Sequence, residues 1–146
     1  MIALDTNVLI YAHRVETELH AVAARELIAL AEGAVHWGLP IFCAVEFLRV
    51  VTHRRVFSPP STLEQAVDFL DGVVASPSCR VVLPGAGFLD LLTATSRGAD
   101  ARGNLLFDAQ IAALCREHGI SAILTNDRDF ERFDGLDARY LKRPEP

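Results

Sequence analysis

A handful of the 19 acidic residues occupy positions that do not suit ordinary solvated acids. Asp5 follows directly on the short apolar run Ile2-Ala3-Leu4. Glu46 is the one acid in the apolar segment Ile41 to Val51, and Asp108 is the one acid between Leu105 and Leu114. Asp127 and Asp129 lie in Thr125-Asn126-Asp127-Arg128-Asp129, just beyond another apolar run. A carboxylate on a mostly apolar helix is costly unless it is paired or metal-bound. Several carboxylates gathered in one place repel, and cations or protonation make that tolerable. Oxygen-only ligands suit Mg²⁺ or Mn²⁺ rather than zinc. Two such ions roughly 4 Å apart can activate a water and stabilise the leaving oxygen of a phosphodiester.

Each acid alone also fits a plainer role. Asp5 can cap a helix, with Thr6 and Asn7 able to share that duty. Glu46 and Arg49 can form an i,i+3 ion pair. Asp108 can be a first-turn acid favoured by the helix dipole. Asp127 and Asp129 can be turn residues. What raises them above these roles is their joint placement at the ends of separate elements.

Those elements read as an alternation. Ile2 to Leu4 predicts a strand running straight into a helix that ends at His13. His20 to Glu32 is amphipathic and is stopped by Gly33. Val35 to Leu39 predicts a second strand, and Ile41 to Thr52 an apolar helix. Thr62 and Gln65 resemble a capping box opening a helix through Val73. Val81 to Leu83 predicts a strand, Phe88 to Ser96 a helix, and Arg97 to Gly103 a polar loop. Asn104 to His118 is helical, Ile120 to Thr125 is a strand, and Asn126 to Phe133 a turn or short helix. Arg139 to Leu141 suggests an edge strand, and the Pro-ended tail is expected to fray. Short apolar strands alternating with helices predict βαβ units and a parallel sheet covered on both faces. Sites in such sheets form beyond the carboxyl ends of strands, where Asp5 and Asp127 fall.

Composition limits the function classes. The chain's 146 residues, 51% hydrophobic and 23% charged, are expected to form one domain over 1–146. The formal charge of −5 argues against a protein that coats nucleic acid through bulk charge. No apolar run approaches the roughly 18 residues of a membrane span. The acidic start, Met1-Ile2-Ala3-Leu4-Asp5, does not read as a signal peptide, so the cytoplasm is the expected location. Cys43, Cys79 and Cys115 lack any CxxC spacing and read as small buried hydrophobes.

Four segments together resemble the VapC-type toxins among the PIN-domain ribonucleases. They are Leu4-Asp5-Thr6-Asn7-Val8-Leu9-Ile10-Tyr11-Ala12, Glu46-Phe47-Leu48-Arg49-Val50-Val51-Thr52-His53, Gly103-Asn104-Leu105-Leu106-Phe107-Asp108-Ala109 and Leu124-Thr125-Asn126-Asp127-Arg128-Asp129-Phe130. Trp37-Gly38-Leu39-Pro40 also fits, and the motifs stand in order over nearly the whole chain. The resemblance implies a three-layer α/β/α PIN-like fold with a central parallel sheet, and RNA cleavage that depends on Mg²⁺ or Mn²⁺. It implies a cognate VapB-like antitoxin that blocks the site, and a homodimer. It casts Asp5, Glu46, Asp108 and Asp127 as an acidic quartet, with Asp5 and Asp108 as direct metal ligands. Thr6, Asn7, Thr125 and Asn126 would support the acids, and Asp129 competes with Asp127 for the fourth position.

Arg49, His53, Arg54 and Arg55 form a basic cluster suited to RNA phosphates or to a solvated helix end. Trp37 and Phe42 read as core rather than as a base-stacking platform. Two other readings stand beside the nuclease. A phosphoacceptor signalling module on a flavodoxin-like sheet also gathers acids, but it wants a late lysine and only Lys142 exists. A non-catalytic RNA-binding or scaffolding PIN domain predicts a missing acid, and none is missing.

Overall fold

The computed structural model describes residues 1–143. Five strands form one fully parallel sheet: β1 (Ile2–Leu4), β2 (Trp37–Pro40), β3 (Cys79–Val82), β4 (Ala122–Thr125) and β5 (Asp137–Tyr140). Their spatial order is β3-β2-β1-β4-β5, so β1 lies in the middle. Six α-helices connect them: α1 (Thr6–His13), α2 (His20–Glu32), α3 (Ile41–Val51), α4 (Leu63–Val74), α5 (Phe88–Gly98) and α6 (Leu105–Glu117). A 3₁₀ turn spans Arg128–Arg132.

The sheet separates two apolar cores, because successive strand side chains point to opposite faces. Leu4, Leu39 and Leu124 join Val8, Leu9, Phe47 and Val51 on one side. Ala3 and Ile123 join Ala109, Ile111, Leu114 and Phe130 on the other. The layering is the α/β/α arrangement expected. The capping box of α4 is present, with Gln65 N donating to Thr62 Oγ1 at 3.1 Å and Thr62 N to Gln65 Oε1 at 2.9 Å.

Boundaries moved at four strands. β4 begins at Ala122, two residues after the expected Ile120, where its pairing with Ile2 of β1 starts. β2 begins at Trp37, not Val35, and keeps Pro40, which takes its place in register with Val82. β3 begins at Cys79, two residues before the expected Val81, because Trp37 to Pro40 pairs with Cys79 to Val82 throughout. β5 covers Asp137–Tyr140 rather than Arg139 to Leu141, set by its register with Ala122 to Thr125. As an edge strand its faces are only half covered, so no apolar run marks it. α5 runs to Gly98, two residues into the expected loop. The tail expected to fray lies, from Pro144 on, outside the described residues.

Candidate metal centre at the carboxyl edge of the sheet

The middle strand delivers Asp5 to the sheet's carboxyl edge. Strand pairing continues one residue past β1, with Asp5 N donating to Leu124 O at 3.0 Å. This sets Asp5 beside Thr125, and the Thr125 hydroxyl donates to Asp5 Oδ2 at 2.6 Å. Asp5 Oδ1 accepts from Thr6 N at 2.7 Å, and the Cys43 thiol stands 4.0 Å away. Asp5 is the N-cap of α1 and is only 5% exposed. The plain role and the site role thus belong to one side chain.

A hydrogen-bonded frame spreads from there. Thr6 Oγ1 donates to Glu46 Oε2 at 3.0 Å, tying α1 to α3. Thr125 Oγ1, donating to Asp5, accepts from Asp127 N at 2.9 Å and lies 3.4 Å from Asn7 Nδ2. Asn7 Oδ1 accepts from Asn126 N at 3.2 Å. Asp127 Oδ1 accepts from Asp129 N at 2.9 Å, capping the 3₁₀ turn. Glu46 also pairs with Arg49 at 3.6 Å.

Asp108 arrives from the first turn of α6. Asp108, Asp127 and Asp129 each bring a carboxylate oxygen to within 4.8 Å of the others. Half-buried Asp108 has its pKa pushed up to about 7, mainly by burial, then by the charges of Asp127, Asp5, Asp129 and Glu46. Asp5 rises to about 6: burial outweighs its bonds to Thr125 and Thr6, and Glu46 and Asp127 add repulsion. The five acids are therefore one electrostatic unit, and Asp5 and Asp108 would ionise more readily beside a bound cation.

Comparison with known proteins identifies the family. Residues 2–136 match the PIN domain. Ribonuclease VapC43 of Mycobacterium tuberculosis is 36% identical over 140 residues, covering 96% of this chain and 95% of the relative. The chain belongs to the PIN-domain family, in its VapC branch. A crystal structure of Rickettsia felis VapBC2, bound to a DNA fragment from its promoter, superposes with a TM-score of 0.72 at 19% identity. That match covers 97% of this chain and all of the other. M. tuberculosis VapC20, described as a toxin that cleaves the sarcin-ricin loop, gives a TM-score of 0.67 at 19% identity over 90% and 93% of the two chains.

In this PIN domain the expected basic cluster divides. Arg49 lines a cleft of about 660 Å³ between α3 and α6, together with Phe42, Val45, Glu46, Asn104, Phe107, Asp108 and Gln110. His53, Arg54 and Arg55 are exposed in the turn after α3 and are not among the residues lining that cleft. Trp37 is fully buried, whereas Phe42 is only partly covered and borders the cleft. All three cysteines are free and buried. Burial, aided by the charge of Asp5, raises the Cys43 thiol well above its ordinary value and Cys115 to about 12. Sequence reasoning missed Cys43 beneath Asp5, because a small apolar residue on an apolar helix carries no mark of its neighbour. It also missed Asn104, Phe107 and Gln110, whose signal was their closeness in sequence to Asp108.

Proposed function

We propose that this PIN domain is a divalent-metal-dependent endoribonuclease, the toxin of a toxin–antitoxin pair. The observation that carries the reading is the cluster of five carboxylates on one sheet edge, two of them with pKa values raised to about 6 and about 7. Its donor set fits Mg²⁺ or Mn²⁺: every candidate ligand is a carboxylate oxygen, and three converge within 4.8 Å. Asp5 and Asp108 are the foremost ligands, with Glu46, Asp127 and Asp129 completing the set. When bound, the metal supplies Lewis-acid polarisation of the scissile phosphate and of the attacking water.

The chain's own residues do the rest. Thr125 and Thr6 fix both oxygens of Asp5, so its orientation needs no adjustment during reaction. Thr6 also orients Glu46. Arg49 stands beside Glu46 with its side chain largely exposed, where it can contact an RNA phosphate. Single-stranded or looped RNA is the preferred substrate, because its backbone can be splayed for in-line attack. The VapC relatives support the nuclease assignment, and the likeness to Rickettsia VapBC2 supports a VapB-like antitoxin as partner. A basic side chain of that antitoxin would fill the acidic site in place of the metal's charge. The chain is also proposed to form a homodimer.

The test is incubation of purified protein with total RNA, with and without Mg²⁺, followed by mapping of cut ends. Internal cuts that need Mg²⁺ or Mn²⁺ and vanish in EDTA are expected. Undiminished cutting in EDTA by a clean preparation would end the metal mechanism.

A further inference from the structure

The cleft between α3 and α6 holds more than its share of the acidic centre. Phe107 sits one residue before Asp108, yet it is 60% exposed. Val45 faces the same space from α3 and is also exposed, and Phe42 forms part of the wall, steadied by Phe88 at 5.6 Å between ring centroids. The polar lining beyond Glu46 and Asp108 is two amides, Asn104 and Gln110, and one guanidinium, Arg49. An exposed aromatic ring, two amides and an arginine are the groups that recognise an unpaired nucleotide. The ring stacks on a base, amides pair with base edges, and arginine takes a phosphate. The cleft volume, about 660 Å³, falls within the range of roughly 300–1,000 Å³ for sites holding a small ligand. It is also continuous with the acids, since Glu46 and Asp108 belong to both. A nucleotide held there is joined to a phosphodiester at the acidic edge.

We propose that this cleft is a nucleobase subsite, in which Phe107 stacks on the base of a nucleotide flanking the scissile phosphate while Asn104 and Gln110 read its edge. The proposal rests on the ribonuclease reading and adds a specificity element to it. Phe107 is a binding group that positions substrate; the acids perform the chemistry.

The experiment pairs a substrate change with a protein change. After the cut position of a short single-stranded RNA is mapped, matched RNAs are made with one abasic nucleotide at each flanking position. Wild-type protein should lose about 5- to 150-fold in kcat/KM at one of those positions, the range for losing one base–aromatic stack. In Phe107→Ala that abasic penalty should disappear, and in Phe107→Trp it should return. Leu89→Ala, which removes an exposed apolar side chain that does not line the cleft, should keep the full penalty. Binding is read separately with 2-aminopurine RNAs and the Asp108→Asn variant, where quenching should depend on Phe107. Equal losses on base-bearing and abasic RNA, or no effect of Phe107→Ala on RNA, would overturn the subsite. So would a Phe107→Ala variant that handles RNA normally but no longer binds an antitoxin protein, since the cleft would then be a protein-docking surface. Absence of any wild-type cleavage would instead count against the nuclease reading, and the quenching result would still decide the subsite.

Discussion

Asp5 and Asp108 repel one another within the same centre, but they are held in opposite ways. Asp5 is buried, caps a helix, and has both oxygens bonded to protein donors. Asp108 is half-buried; burial and neighbouring negative charges act on it, and among the described residues no hydrogen bond offsets them. One acid is fixed by the fold, and the other has no protein donor among the described residues to offset its charge. A centre built this way has a rigid side held by the fold and an open side whose repulsion a bound cation would relieve.

The sharpest break in this comparison is between two amide substitutions. Asp108→Asn should abolish RNA cleavage and leave the metal-free protein as stable as wild type or more so, since repulsion goes and shape stays. Asp5→Asn should abolish cleavage too, but without the gain. Its amide nitrogen cannot accept the bond that one carboxylate oxygen now takes, and a buried bond of that kind is worth about 0.5–1.5 kcal/mol. Thermal melts without metal, paired with cleavage assays, separate the two. A destabilised and fully active Asp108→Asn would reduce that residue to a first-turn helix acid.

Thr125→Val tests the rigid side from behind. It keeps the β-branched shape but removes the hydroxyl that donates to Asp5 and accepts from Asp127 N. Cleavage should fall about 10- to 100-fold, as for other supports of metal ligands. Stability should fall about 1–3 kcal/mol, from the polar groups left unpaired. Denaturant melts and single-turnover assays read both.

On the open side, Asp127→Asn should reduce cleavage more than Asp129→Asn. Asp127 is tied through its backbone to Thr125 and is partly buried, while Asp129 is exposed. A larger loss with Asp129→Asn would move the fourth acid two residues along the chain.

The smallest expected effect is on pH. Both raised carboxyl groups hold protons more tightly in the folded metal-free protein than in the unfolded chain, where the ordinary value is 3.8. Their contribution to stability is therefore complete below about pH 3.8. It is lost as pH rises through about 6 for Asp5 and about 7 for Asp108. His13 acts in the other direction, since burial lowers its pKa. The melting difference between wild type and Asp108→Asn removes that background. It should widen by a few degrees between pH 5 and 8, at about 2–4 °C per kcal/mol. Saturating Mg²⁺ should close it and, at 100 times its Kd, add about 2.7 kcal/mol to the wild type. A difference that stays constant with pH would remove Asp108 from the charge cluster.

Much of this was readable from residue order. Apolar runs stopped by Gly33 and Gly119, and the Thr62–Gln65 pair, placed helices within a residue or two, because these signals are local. The acids stood out as charges in apolar company. What could not be read is what long-range register decides. Thr125 entered as a support only through the family resemblance; by its type alone it is any β-branched strand residue until β1 and β4 pair and bring it to Asp5, 120 positions away. Phe107 misleads for a related reason. It shares a helical stripe with Ile111 and Leu114, both buried, so its place in the sequence does not mark it as open. At the first turn of α6 it remains 60% exposed among the described residues. The edge strand β5 carries weak patterning because one of its sides has no neighbour.

The strand order also sets a timetable. Asp5 precedes by more than a hundred residues the strand that holds its carboxylate, β4, which begins at Ala122. At about 5–20 residues per second, the ribosome emits more than a hundred residues before that partner exists. Until then the middle of the sheet lacks a neighbour on one side, and Asp108 has neither Asp127 nor Asp129 opposite it. A nascent chain, or one cut short before Thr125, carries Asp5, Glu46 and Asp108 without the frame that makes them a centre. RNA cleavage is therefore expected only from chains that extend past β4.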